Sequence, residues 1–220
     1  MKPVFLFDLD GTLADTGEGI LACARYALEA FGITESDREL RKFVGPPLET
    51  AFSEFYGFAG EDLALAVKRY RTHYREVGVY LSPLYPGIPE MLEQVAPWGA
   101  ICLATSKPQP FAEQILEMRG IRPWFQVVVG CHMDGTRSRK AEVIEEALRQ
   151  AGDPDRSRVL MIGDRKQDVL GAAEAGLRTL GVTYGYAEPG ELETAGAAAL
   201  ADTPAQAAEI CVRWSRGGVL

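Results

Sequence analysis

Four short stretches of this 220-residue chain set acidic, hydroxyl or basic side chains at the end of an apolar run or the start of a helical one. The first is Asp8-Leu9-Asp10-Gly11-Thr12-Leu13, directly after Val4-Phe5-Leu6-Phe7. Two carboxylates at i and i+2, leaving the carboxyl end of a strand, sit where ligands bind in open parallel sheets, and strand periodicity turns both toward one crevice. Gly11 lets the chain turn sharply away, and Thr12 can bond back to the backbone or to an anion. Turns and strand caps use Asp and Gly widely. Background frequencies nevertheless produce this combination in only about one chain in a thousand of this length.

The second stretch, Thr105-Ser106-Lys107-Pro108 after Leu103-Ala104, offers hydroxyls and backbone amides at the expected start of a helix. A helix N-terminus attracts anions, though an ordinary N-cap would use the same residues. The third is Lys140, which opens a helical pattern containing Val143, Ile144, Ala147 and Leu148. An ammonium in a first turn opposes the helix dipole, so a purely structural role is unnatural; a solvated basic cluster with Arg137 and Arg139 is the plain alternative. The fourth is Gly163-Asp164-Arg165-Lys166-Gln167-Asp168, following Met161-Ile162. Its carboxylates, four apart, are hard oxygen ligands of the kind that suits Mg²⁺, with helix capping as the alternative for Asp168.

These residues need a scaffold that brings strand ends together. Short apolar runs at 4–7, 100–104, 127–129, 159–162 and 179–182 read as buried strands, and helical patterns at 87–95, 111–118, 140–150 and 169–175 alternate with the later ones. Alternation of this kind predicts an α/β fold: a doubly wound, parallel-sheet, Rossmann-like core. Between the first two strands the pattern is helical, with Ile20, Leu21, Ala24, Leu28 and Phe31 at helical spacing and further helices expected at 36–43, 48–56 and 61–77. The expected division is a core of residues 1–14 and 85–220 carrying an inserted α-helical cap domain, residues 15–84.

Composition narrows the function. With 23 Lys and Arg against 31 Asp and Glu the net charge is -8, a field that repels a phosphate backbone and argues against nucleic-acid polymers as partners. Cys23, Cys102, Cys131 and Cys211 form no CxxC pair and read as free buried thiols. No apolar run approaches membrane-spanning length and the first residues lack a signal-peptide pattern, so a cytoplasmic protein without membrane association is expected. His73 and His132 are the only histidines, there is no GxSxG elbow, and neither GxxxxGK[ST] nor GxGxxG occurs; a Ser-His-Asp hydrolase, a P-loop enzyme and a dinucleotide enzyme are disfavoured. Oligomeric state, monomer or dimer, is not readable from the sequence.

Taken in order, the four stretches resemble the haloacid-dehalogenase-like hydrolase superfamily along nearly the whole chain, closest to its phosphoglycolate phosphatase-like branch. Phe43-Val44-Gly45-Pro46-Pro47-Leu48 and the Gly163 to Asp168 stretch look 5'-nucleotidase-like. The resemblance implies a Mg²⁺-dependent phosphatase of small phosphate monoesters. It makes Asp8 the nucleophile that forms an aspartyl phosphate, Asp10 the acid and base, and Thr105 and Lys140 the holders of the phosphoryl group. Asp8, Asp164 and the Asp10 carbonyl would hold the metal, with Asp168 either a further ligand or a residue just behind the ligands, and Gly11, Thr12, Ser106, Gly45 and Pro46 would line the substrate. Ala141 departs from the proline that many relatives carry after the lysine, which leaves Arg137 and Arg139 as competitors for that role. Glu18, Phe43, Tyr74 and Arg75 are further cap-side candidates, with Phe43 and Tyr74 equally suited to cap core. Asp10 favours phosphate esters over carbon-halogen or phosphonate substrates, since only an ester has an alkoxide to protonate. A sugar-phosphate mutase and a degenerate phosphate-binding module stay open as alternatives. The acidity of the site itself implies inertness toward phosphates until the metal is bound.

Overall fold

The computed structural model describes residues 2–218 and 220. The elements run β1 (Val4–Phe7), α1 (Gly17–Glu29), α2 (Asp37–Leu40), α3 (Leu48–Tyr56), α4 (Gly60–Glu76), α5 (Ile88–Val95), β2 (Ala100–Pro108), α6 (Gln109–Met118), β3 (Val127–Cys131), α7 (Lys140–Gln150), β4 (Val159–Gly163), α8 (Lys166–Glu174), β5 (Arg178–Val182), α9 (Glu191–Ala195), β6 (Ala199–Ala201) and α10 (Pro204–Ser215). The chain divides into two compact units, Met1–Ala14 with Leu84–Leu220, and Asp15–Pro83, so Leu84 falls with the first unit.

In the first unit the six strands form one sheet in the order β3-β2-β1-β4-β5-β6, every neighbouring pair parallel. The chain moves outward from β1 through β2 to β3, then returns to the other side of β1 with β4. The order therefore reverses between β1 and β4, and a crevice opens beyond their carboxyl ends at such a switch point. Register places Leu103 and Ile162 on either side of Phe7, so the residues that follow these three strands leave the sheet at nearly one level.

Both faces of the sheet are covered, as the continuous apolar strands require. Val4 and Leu6 of β1 join Val143, Ile144, Ala147 and Leu148 of α7 and Ala172 of α8 in one buried cluster. Phe5, alternate to these, meets Trp214 of α10 edge-on at 5.8 Å between ring centroids. The amphipathic face of α7 thus packs on the sheet, and Lys140 stands at its first position.

The second unit is helical, as its pattern predicts, and its core is aromatic. Phe43 packs on Phe52, Phe55 and Tyr56, and Tyr70 stacks on Tyr74. Phe43 and Tyr74 are buried members of that core. The helix expected at 36–43 is α2 followed by a 3-10 turn at Arg41–Phe43, and Ser36 caps it in a reciprocal pair with Glu39. Gly45, at φ 111°, and Pro46 lie in the bend that leads into α3.

Three elements of the first unit, α9, β6 and α10, were not expected from the sequence. All four cysteines are buried and free. Val219 lies outside the described residues, and before it Gly218 N–H bonds to the Arg213 carbonyl at 3.1 Å. Among the described residues no helix is long and apolar enough to cross a membrane.

Candidate active site

The first loop forms because β1 stops at Asp8 and the chain folds over itself. Asp8 N–H bonds to the Ile162 carbonyl at 2.9 Å, extending the pairing with β4 by one residue, and Leu13 and Ala14 N–H groups return to the Leu9 carbonyl at 2.9 and 3.0 Å. Gly11 sits inside that turn at φ +84°, and a Cβ there would stand 2.1 Å from Asp164 Oδ2. Only glycine combines the left-handed backbone with this approach. Gly11→Ala is therefore expected to destabilise the fold by about 2 kcal/mol and to lower turnover at least tenfold by displacing Asp164. Urea denaturation and kcat measured on the same preparation check it, and a variant indistinguishable from the parent would show that Asp164 position is unimportant.

Asp8, Asp164 and Asp168 converge. All are buried, and one carboxylate oxygen from each lies within 4.8 Å of the others. Asp164 is oriented on both sides, because Thr12 Oγ1 donates to its Oδ1 at 3.0 Å and Tyr186 N–H to its Oδ2 at 2.8 Å. The Thr12 hydroxyl is fully buried and orients a carboxylate, in place of the substrate contact expected of it. Asp168 accepts from Arg165 N–H at 3.0 Å through Oδ2, which caps α8, and turns Oδ1 to Lys140. Capping and site membership, alternatives in the sequence, belong to the same side chain.

Lys140 is the cation of the cluster. Its Nζ lies 2.7 Å from Asp8 Oδ1 and 2.7 Å from Asp168 Oδ1, and donates to the Ala104 carbonyl at 3.1 Å. It reaches this depth because Gly171 of α8 leaves room: a Cβ there would stand 2.8 Å from the Lys140 stem. The competing arginines are engaged elsewhere. Arg137 Nη2 donates to the Gly130 carbonyl at 2.7 Å, and Arg139 pairs with Glu174 at 2.8 Å.

Electrostatically the cluster carries too much negative charge. Burial raises the Asp8 carboxyl to about 6; Lys140 pulls it down, while Asp168 and Asp10 push it up. Burial likewise raises Asp164 well above the carboxylate range, with Asp168 and Asp8 adding to the effect. Burial works against the Lys140 charge, yet Asp168 and Asp8 outweigh it and hold the ammonium above its usual range. Three crowded buried carboxylates facing one ammonium form an all-oxygen donor set whose charge a divalent cation would balance, so the residues fit such an ion.

The second strand end departs from expectation. β2 runs on through an irregularity between Ala104 and Pro108, so Thr105 and Ser106 are strand residues and Pro108, not a hydroxyl, precedes α6. Buried Thr105 accepts from Lys107 N–H at 3.2 Å through Oγ1. Lys107 then reaches Asp10, with Nζ 3.0 Å from both carboxylate oxygens. Sequence reasoning passed over Lys107; its place two residues from Thr105, on the same side of a strand end, is the signal that could have marked it. It also passed over the loop after β5, where Tyr184 hydroxyl donates to the Thr12 carbonyl at 3.0 Å and Tyr186 holds Asp164.

Comparison with known proteins gives this arrangement a family. The haloacid dehalogenase-like hydrolase family matches residues 5–182. A protein of Pseudomonas aeruginosa named 5'-nucleotidase is 41% identical over 192 residues, 86% of each chain. One of Mycobacterium tuberculosis named tyrosine-protein kinase PtkA is 38% identical over 184 residues; the match covers 82% of this chain and 62% of that longer one. A crystal structure described as a predicted phosphatase from Clostridium acetobutylicum superposes with a TM-score of 0.91 at 37% identity, covering 97% of this chain and 99% of that one. With four motif loops at four neighbouring strand ends and a match along most of its length, the chain belongs to the haloacid dehalogenase-like hydrolase family.

Proposed function

We propose that this chain is a Mg²⁺-dependent phosphatase of small phosphate monoesters, acting through an aspartyl phosphate on Asp8. The observation that carries this reading is the buried Asp8–Lys140–Asp168 contact with Asp164 alongside, a nucleophile set between a cation and a metal-binding pair. An Asp8 oxygen attacks phosphorus, and the bond from phosphorus to the ester oxygen breaks. Asp10 gives its proton to the departing alkoxide. Asp10 then takes a proton from the water that attacks the phosphorus, and the bond to Asp8 breaks to release phosphate and restore the carboxylate. One residue serves both halves because the proton it loses in the first is regained in the second.

Lys140 holds negative charge on the phosphoryl oxygens and keeps Asp8 aimed, and Thr105 supplies a further contact to those oxygens from the β2 end. Asp8, Asp164 and Asp168, with the Asp10 carbonyl, would hold Mg²⁺, which when bound offsets the repulsion between the Asp8 carboxylate and a phosphate dianion. Electrostatic stabilisation of this kind carries most of the rate in phosphoryl transfer, since there is little other chemistry for a protein to perform.

Among substrates, nucleoside 5'-monophosphates stand first, supported by the relative named 5'-nucleotidase at 41% identity. Phosphoglycolate stands second on the resemblance of the motifs. The experiment is phosphate release from a panel of metabolite monoesters, ranked by kcat/KM with Mg²⁺ and repeated in EDTA. The expected result is a preference for nucleoside monophosphates and loss of at least about a hundredfold in EDTA. Activity unchanged by EDTA would overturn the metal assignment, and a ranking led by another ester class would overturn the substrate.

A further inference from the structure

We propose that Lys107 is a positioning residue for Asp10, fixing the carboxylate that handles the proton; this rests on the reading of Asp10 as the acid and base. Both Asp10 oxygens lie 3.0 Å from Lys107 Nζ, a grip that restrains rotation of the carboxylate as well as its distance. The pair is shielded, with side-chain exposures of 5% for Lys107 and 22% for Asp10, unlike the solvated pairs that contribute little.

Its two halves are 97 residues apart and come from different strand ends. The contact is therefore set by the sheet, where β1 and β2 are neighbours, and not by local chain geometry. The lysine is itself anchored, since its N–H bonds to Thr105 Oγ1 at 3.2 Å. The same short segment thus ties together the hydroxyl assigned to the phosphoryl group and the cation that orients the proton carrier.

The cations divide the work. Lys140 contacts Asp8 and Asp168, whereas Lys107 contacts Asp10. A nucleophile needs charge balance; a proton carrier needs orientation toward the ester oxygen, because proton transfer requires hydrogen-bond reach. Loss of Lys107 should consequently harm reactions that need the proton and spare those that do not. An alkoxide leaving group needs it. A nitrophenolate leaves readily without it.

The test compares ethyl phosphate, 4-nitrophenyl phosphate and phosphoglycolate with the full chain and Mg²⁺, using Lys107→Met, Lys107→Arg, Asp10→Asn and the Lys107→Met/Asp10→Asn double variant. Thermal melting establishes that each is folded. Asp10→Asn is expected to lower kcat on ethyl phosphate by about a hundredfold or more and on 4-nitrophenyl phosphate by much less. Lys107→Met should follow the same pattern at about tenfold to a hundredfold, Lys107→Arg should recover part of it, and the double variant should be no worse than Asp10→Asn.

An equal loss on ethyl phosphate and 4-nitrophenyl phosphate, or a further loss when Lys107→Met is added to Asp10→Asn, would overturn the proposal while leaving the role of Asp10 intact. So would a raised KM confined to phosphoglycolate, which would make Lys107 a contact for the substrate carboxylate. If Asp10→Asn itself shows no dependence on the leaving group, the reading of Asp10 falls and the proposal with it.

Discussion

Asp8→Asn is expected to remove turnover by at least about a thousandfold while leaving the protein folded. The loss is large because an amide oxygen is a poor nucleophile for phosphorus and, among the described residues, no other carboxylate occupies the same strand-end position. Asp164 is held at both oxygens by Thr12 and Tyr186, and Asp168 is tied to Arg165 and Lys140. The fold survives for an electrostatic reason. Among the described residues Asp8 is one of three buried carboxylates clustered with the Lys140 ammonium, and burial disfavours its charge. Removing one negative charge leaves Lys140 still paired with Asp168 at 2.7 Å. Metal-free Asp8→Asn should therefore melt no lower than the parent. A folded variant retaining a tenth of parental kcat would contradict the role given to Asp8.

Lys140→Met is expected to differ in kind, since it removes both activity and stability. Turnover should fall at least about a hundredfold through loss of the cation that stabilises the phosphoryl charge. The loss of stability follows from the geometry. Lys140 is buried and contacts Asp8, Asp168 and the Ala104 carbonyl together, so its removal leaves crowded carboxylates without the cation that pairs with them. Breaking a buried pair by deleting one partner costs about 3–5 kcal/mol. Urea denaturation in EDTA should show a loss of that order, and Mg²⁺ should restore part of it by supplying positive charge to the same oxygens. Equal stability of variant and parent in EDTA would contradict a charge balance that depends on Lys140.

The parts of the site that were legible are those built into single strand-loop junctions. Asp8, Lys140, Asp164 and Asp168 each announce themselves locally, as charged residues beside an apolar run, and the sheet brings them together because β1 and β4 flank the point where strand order reverses. The Lys107 pair with Asp10 was not legible, since nothing near either residue names a partner 97 positions away. Thr105 was misplaced for a related reason. A threonine before a proline and a helix looks like a cap, but β2 gains pairing with β3 as far as Pro108 and carries the hydroxyl on the strand instead. The strand β6 and helix α10 were obscured by alanine. In Ala197-Ala198-Ala199-Leu200-Ala201 the apolar signal has no period that separates a strand from a helix or a loop.

The central claim is that phosphate passes through a covalent bond to Asp8. Its most direct test is to quench the enzyme in acid during turnover with Mg²⁺, reduce it with borohydride, and map the peptides by mass spectrometry. Reduction converts an aspartyl phosphate to homoserine. Homoserine is expected at position 8, in proportion to enzyme engaged in turnover, and none in Asp8→Asn. Homoserine at Asp10, Asp164 or Asp168, or its absence from an enzyme trapped at full turnover with a burst of released alcohol, would contradict it.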